Sequence, residues 1–95
     1  MMDVTPDIVQ VVAHNDYTVS VYFCDGRIVL YDAKPKLDSG LFRKLKDLSF
    51  FLGNCRIMND TLAWDLTGDG DPRQCIDIDP EYLYSLSDAE EPKAI

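Results

Sequence analysis

Histidine, paired cysteines, long apolar runs and basic charge are what this chain has least of, and each shortage removes a class of function. One histidine, His14, and three cysteines, Cys24, Cys55 and Cys75, stand far apart with no Cys-x-x-Cys spacing. A structural zinc site draws its four ligands from close pairs. A disulfide framework wants an even count in an oxidising compartment. The expectation is therefore reduced thiols, no metal cofactor and a cytoplasmic protein. No nucleophile can be picked out together with an activating base and an orienting third group, so no catalytic residues are expected and the chain reads as no enzyme. The longest apolar runs fall far short of the ~18 residues that a membrane span needs. The opening "MMDVTPDIVQ" has neither the basic start nor the apolar centre of a secretory signal, so no membrane association is expected.

Lysine and arginine total nine against seventeen aspartates and glutamates, for a formal charge of −8. The imbalance is local: residues 1–58 carry seven of each sign, and residues 59–95 carry ten acids against Arg73 and Lys93. Such a surface repels phosphate backbones, which makes nucleic acid an unlikely partner for this domain. It attracts a basic protein instead and speeds the encounter. The plainer reading is that the charge only keeps a small domain soluble. The basic cluster "KPKLDSGLFRKLK", with Arg43 and Lys44 near its end, reads first as a solvated helix face. A sharper reading is self-association, this patch meeting the acidic region of a second copy.

What is present describes one α+β domain over residues 1–95, ordered from about 4 to 87, with 88–95 a frayed tail. A chain this short buries only about 60–65% of its unfolded surface, leaving little room for a deep cleft. Ile8 to Ala13 is β-branched and suits a strand. "YTVSVYF" alternates, placing Tyr17, Val19, Val21 and Phe23 on one face. Asp25-Gly26 reads as a two-residue hairpin turn into "RIVLYD", completing an antiparallel three-stranded meander. Pro35 breaks the pattern. Asp38 or Ser39 then caps a short helix whose Leu41, Phe42, Leu45 and Leu48 follow helical spacing. "CRIM", the turn at Asn59-Asp60 and "TLAWD" form a second hairpin with Trp64 on a core or groove face. "CIDID" is a short strand, and Asp79-Pro80 opens a short C-terminal helix, "PEYLYSL".

The stretch from Asp65 to Asp71, "DLTGDGD", is the one segment that hints at a cation. Asp65, Thr67, Asp69 and Gly70 match positions 1, 3, 5 and 6 of a calcium loop, with Asp71 beside them. The closing bidentate glutamate is missing, because position 12 is Ile76; position 8 is Pro72, and the upstream flank reads as strand where a helix belongs. An ordinary Asp/Gly turn with solvated carboxylates is the expected reading, and a small ligand- or cation-binding site the alternative. Five tyrosines, four phenylalanines and one tryptophan are more aromatic area than one thin core needs. Tyr22, Trp64, Tyr82 and Tyr84 are therefore candidate partner-binding residues, together with Arg43 and Lys44.

"YTVSVYFCDGRIVLYDAKPKL", "GLFRKLKD" with the following Phe-Phe, "LAWD" and "DIDPEYLY" occur in that order. That succession resembles the small bacterial family catalogued as domain of unknown function 2442, over about residues 4–86. The resemblance implies a small α+β fold, no enzymatic activity and no catalytic residues to carry over. It also implies gene neighbourhoods suggestive of toxin–antitoxin pairs, with this family as the antitoxin-like partner. Some relatives carry a helix-turn-helix domain after this one, a domain not expected in this chain. Many members have a brief Trp-x-Asn-Gly-x-Asp link where this chain has "WDLTGDGDPRQCID", so a function tied to the short link does not transfer. The expected function is thus a non-enzymatic protein-interaction module, antitoxin-like, binding a small protein.

Overall fold

Alternating β-branched and aromatic residues before residue 33 build the first sheet, antiparallel in the order β1 (Ile8–Ala13), β2 (Thr18–Phe23) and β3 (Ile28–Asp32). The second sheet, also antiparallel, has the order β4 (Cys55–Met58), β5 (Thr61–Asp65) and β6 (Cys75–Asp77). Between them lie a 3₁₀ turn at Lys34–Lys36, a 3₁₀ segment at Gly40–Lys46 and helix α1 (Leu48–Gly53); helix α2 (Pro80–Tyr84) follows β6. The chain is α+β, as its sequence implied. The computed structural model describes residues 5–86, and the reading of 88–95 as a frayed tail lies outside them. Among the described residues no helix is long and apolar enough to cross a membrane.

Both hairpins of the first sheet close on three residues, and not on the two expected at Asp25-Gly26. In each, the amide of the last position before the loop bonds across it: Phe23 N–H to the Arg27 carbonyl, 2.9 Å, and His14 N–H to the Thr18 carbonyl, 2.8 Å. The third loop residue is left-handed in both, Gly26 at φ 95° and Tyr17 at φ 67°. Glycine adopts that conformation freely, whereas tyrosine does not. Tyr17 is therefore a turn residue and not the first residue of the strand. Its ring meets Phe51 edge-on, centroids 5.2 Å apart, and its hydroxyl donates to the Lys46 carbonyl. Those contacts hold the unfavourable turn in place.

The segment expected as one capped helix splits in two. Ser39 makes no side-chain cap bond, and Gly40–Lys46 winds as 3₁₀. Asp47 is extended and caps α1 by accepting from the Ser49 amide. With three residues per turn, Phe42 and Leu45 fall in one row, and Leu41 falls with Lys44 on another. Leu45 is accordingly buried, whereas Leu41 stands 59% exposed.

The core lies between the sheets, where Val19, Val21, Val29, Leu45, Leu62 and Leu83 are fully buried. Trp64 sits at its centre, ring centroids 5.4 Å from Phe51 and 6.5 Å from Tyr31. The indole N–H donates to the Phe51 carbonyl at 3.0 Å. Helix α2 is tied to the β2–β3 loop: Tyr84 packs edge-on against Phe23 and donates to Asp25, and the Arg27 guanidinium lies 4.9 Å over its ring.

The β4–β5 hairpin does close on two residues, Asn59 and Asp60, at φ 54° and 65°. Asp60 holds a conformation that glycine adopts without cost. Asp60→Gly should raise stability by about 0.5–1 kcal/mol, read in urea as a higher midpoint at unchanged slope.

Candidate functional site

A groove runs between β6 and the 3₁₀ segment. Its larger part, about 450 Å³, is lined by Ser39, Gly40, Leu41 and Phe42 on one side and Cys75, Ile76 and Asp77 on the other. A second part of about 280 Å³ shares Phe42 and Asp77 and adds Tyr31, Lys36, Ile78, Asp79 and Tyr82. The floor is apolar and the β6 side carries the carboxylates. Alternation along "CIDID" produces this: Ile76 and Ile78 point into the core, and Asp77 and Asp79 stay exposed. Asp79 also caps α2 through the Glu81 amide, and Asn59 donates to the Asp77 carboxylate at 3.1 Å.

Tyr82 stands 51% exposed on the groove, edge-on to Tyr31 at 6.5 Å. Tyr31 itself is buried, which pushes its phenol up to about 12, with Tyr82 and Asp32 nearby adding to the rise. Of the other candidate partner residues, Tyr22 and Tyr84 are half-buried, and Arg43 and Lys44 are exposed on the 3₁₀ segment. Trp64 is a correction. It is fully buried and serves the core, so it meets no partner directly. The groove gathers Tyr82 with Leu41, Phe42, Asp77 and Asp79, none of which but Tyr82 stood out as a site residue. Leu41 and Phe42 were hidden because their spacing also fits an α-helical core face, and only the 3₁₀ winding turns Leu41 outward.

The loop 65–71 is organised from within. Asp65 was expected to be solvated, yet it is fully buried at the end of β5. One carboxylate oxygen accepts from Thr67 N–H (3.2 Å) and Gly68 N–H (3.0 Å), and the other from Gly70 N–H (2.8 Å). Arg56 lies 3.6 Å away. Burial alone would push this carboxyl up, but the three amides and the guanidinium together hold it below the usual aspartate range. Gly68 and Gly70, at φ 81° and 76°, supply the bends that aim those amides inward. Asp69 is exposed, and Asp71 accepts from the Arg73 amide. Asp65, Thr67, Asp69 and Asp71 thus form a carboxylate-centred turn. Among the described residues no three His, Cys, Asp or Glu side chains gather so as to hold a metal ion.

His14 lies beside a serine: its Nε2 is 2.7 Å from Ser20 Oγ, and Ser20 is 2% exposed. Burial drives the Cys55 thiol up to about 12. Burial and the surrounding carboxylates of Asp77, Asp65 and Asp71 raise that of Cys75.

Two measurements follow from these environments. A depressed carboxyl contributes stability that is complete above the unfolded value near 3.9 and is lost as pH falls through the folded one. Asp65→Asn should lower Tm by more than about 5 °C at neutral pH, with the gap to the parent protein closing as pH falls through the lowered pKa of the folded carboxyl. Tyr31 runs the other way, its contribution being present below about 10 and fading as pH rises to about 12. Ultraviolet titration should show a tyrosine ionising near 12 that is lost in Tyr31→Phe.

A family model described as Protein of unknown function (DUF2442) matches residues 8–89. No curated protein and no solved structure matches the chain. The matched span takes in all six strands and both helices described above. The motif order that suggested the family thus coincides with the whole folded unit, and the chain belongs to the DUF2442 family of proteins of unknown function.

Proposed function

We propose that this domain is a non-catalytic protein-interaction module of the cytoplasm that binds a small basic protein and acts by stoichiometric occlusion, in the manner of an antitoxin. The observation that carries the reading is the groove beside β6. Two large side chains, Leu41 and Tyr82, are more than half exposed at its lips, and Asp77 and Asp79 form its acidic side. Tyrosine combines contact area with a polar end and has few rotamers to lose, so it anchors interfaces well. The acidic half of the chain steers a basic partner toward this face. Arg43 and Lys44 are exposed on the 3₁₀ segment that also supplies the groove's other wall.

The test is capture from host lysate with the parent protein and with Tyr82→Ala as baits, followed by reconstitution with whatever purified protein the parent alone retains. Loss of an interface anchor of this kind costs about 2 kcal/mol or more, which is roughly a thirtyfold rise in Kd. Equal capture by both baits, or none by the parent, counts against the reading.

A further inference from the structure

We propose that the outer edge of β6 accepts an extended, lysine- or arginine-bearing segment of the partner protein as a fourth strand of the second sheet. This rests on the interaction reading above and specifies how the partner is held.

The argument begins with backbone groups. Leu66 N–H donates to the Gln74 carbonyl at 2.9 Å, and Ile78 N–H to the Leu62 carbonyl at 3.0 Å. Those two bonds flank the Trp64–Ile76 pair. In an antiparallel ladder the bonded positions alternate, so Gln74, Ile76 and Ile78 face β5, and the amides and carbonyls of Cys75 and Asp77 face the other way. Cys75 and Asp77 also line the groove. Among the described residues no strand pairs with that side of β6. The other outer strands differ: β1 lies against β4, and β3 has α2 beside it.

Main-chain donors and acceptors that no described strand pairs, beside an apolar groove, are the arrangement that strand addition uses, main-chain bonds giving affinity and alternate side chains giving specificity. A segment laid along β6 would direct every second side chain into the groove beside Leu41 and Phe42. The remaining ones would lie next to Asp77 on the exposed face, where a cross-strand cation is favoured and an anion disfavoured. Charge also decides against a second copy of the chain as the occupant. A second copy of β6 would bring Asp71, Asp77 and Asp79 against their equivalents. Acidic side chains on a short edge strand are a known guard against self-pairing, and here they leave the edge open to a basic segment.

The probe is a blocked hexapeptide alternating lysine and valine, titrated into the ¹⁵N-labelled protein beside its glutamate–valine counterpart. A lysine–valine peptide N-methylated at alternate residues serves as the main-chain control. Strand addition requires the lysine peptide to bind at least tenfold more tightly than the glutamate peptide and to slow amide exchange at Cys75 and Asp77. It also requires N-methylation to abolish binding. Asp77→Lys, checked for an unchanged fold by circular dichroism, should reverse the preference between the two peptides. Unchanged exchange at both amides, or full binding by the N-methylated peptide, overturns strand addition. If that happens while Tyr82→Ala still loses the lysate partner, the interaction module stands and only this mode of docking falls. If neither peptides nor a Tyr82-dependent partner bind, both readings fall.

Discussion

The hydrogen bond from the Trp64 indole to the Phe51 carbonyl is the contact on which the rest of this fold depends. A buried indole needs an acceptor for its one N–H, and a six-residue helix leaves carbonyls unsatisfied at its end. Each supplies what the other lacks, 3.0 Å apart in the middle of the core. Removing such an aromatic from a core typically costs about 3–5 kcal/mol, a large part of the stability of a domain this small. Through that one contact β5, α1 and, by way of Tyr31, β3 are held at a common centre. Tyr17 accepts its left-handed backbone because its ring and hydroxyl reach the same helix and the segment before it.

A second constraint sits one residue further along β5. Trp64 points into the core, so Asp65 points to the opposite face, where the loop that follows closes over it. A buried carboxylate is tolerable only when its lone pairs are occupied and a cation is near. Three loop amides and Arg56 meet both conditions. The loop is therefore shaped around one charge. Its exposed aspartates follow from that shape and add to the negative field of the C-terminal half.

The functional reading grows from the same geometry. A loop folded back on the outer face of the second sheet leaves β6 as its margin, and the 3₁₀ segment stands off from that margin by the width of a groove. Leu41 and Tyr82 face this space because the 3₁₀ winding and the Asp79-capped start of α2 turn them there. In a chain of 95 residues the hydrophobic core cannot absorb every aromatic side chain. Tyr82, with Leu41, is left outside beside the strand edge, while Val9, Leu30, Leu52 and Ile57 are exposed away from the groove. Under the reading proposed here, one face supplies anchor residues, main-chain bonds and steering charge together.

Much of the architecture was written in local pattern. Period-two alternation and β-branched residues defined the strands, Asn59-Asp60 marked a true two-residue turn, and Asp79-Pro80 marked the start of α2. The order of those motifs also identified the family, because each reflects a local backbone requirement that survives without its neighbours. Tertiary structure alone decided the rest. Whether Leu41 faced the core depended on three or 3.6 residues per turn, a difference imposed by the extended break at Asp47 and the tether from Tyr17 to Lys46. Whether Trp64 met a partner or the core depended on an acceptor thirteen residues away. Asp65 looked like its acidic neighbours in sequence and is unlike them in space. Its burial follows from which face of β5 it occupies and from glycines that bring distant amides to it, neither of which is encoded at its own position.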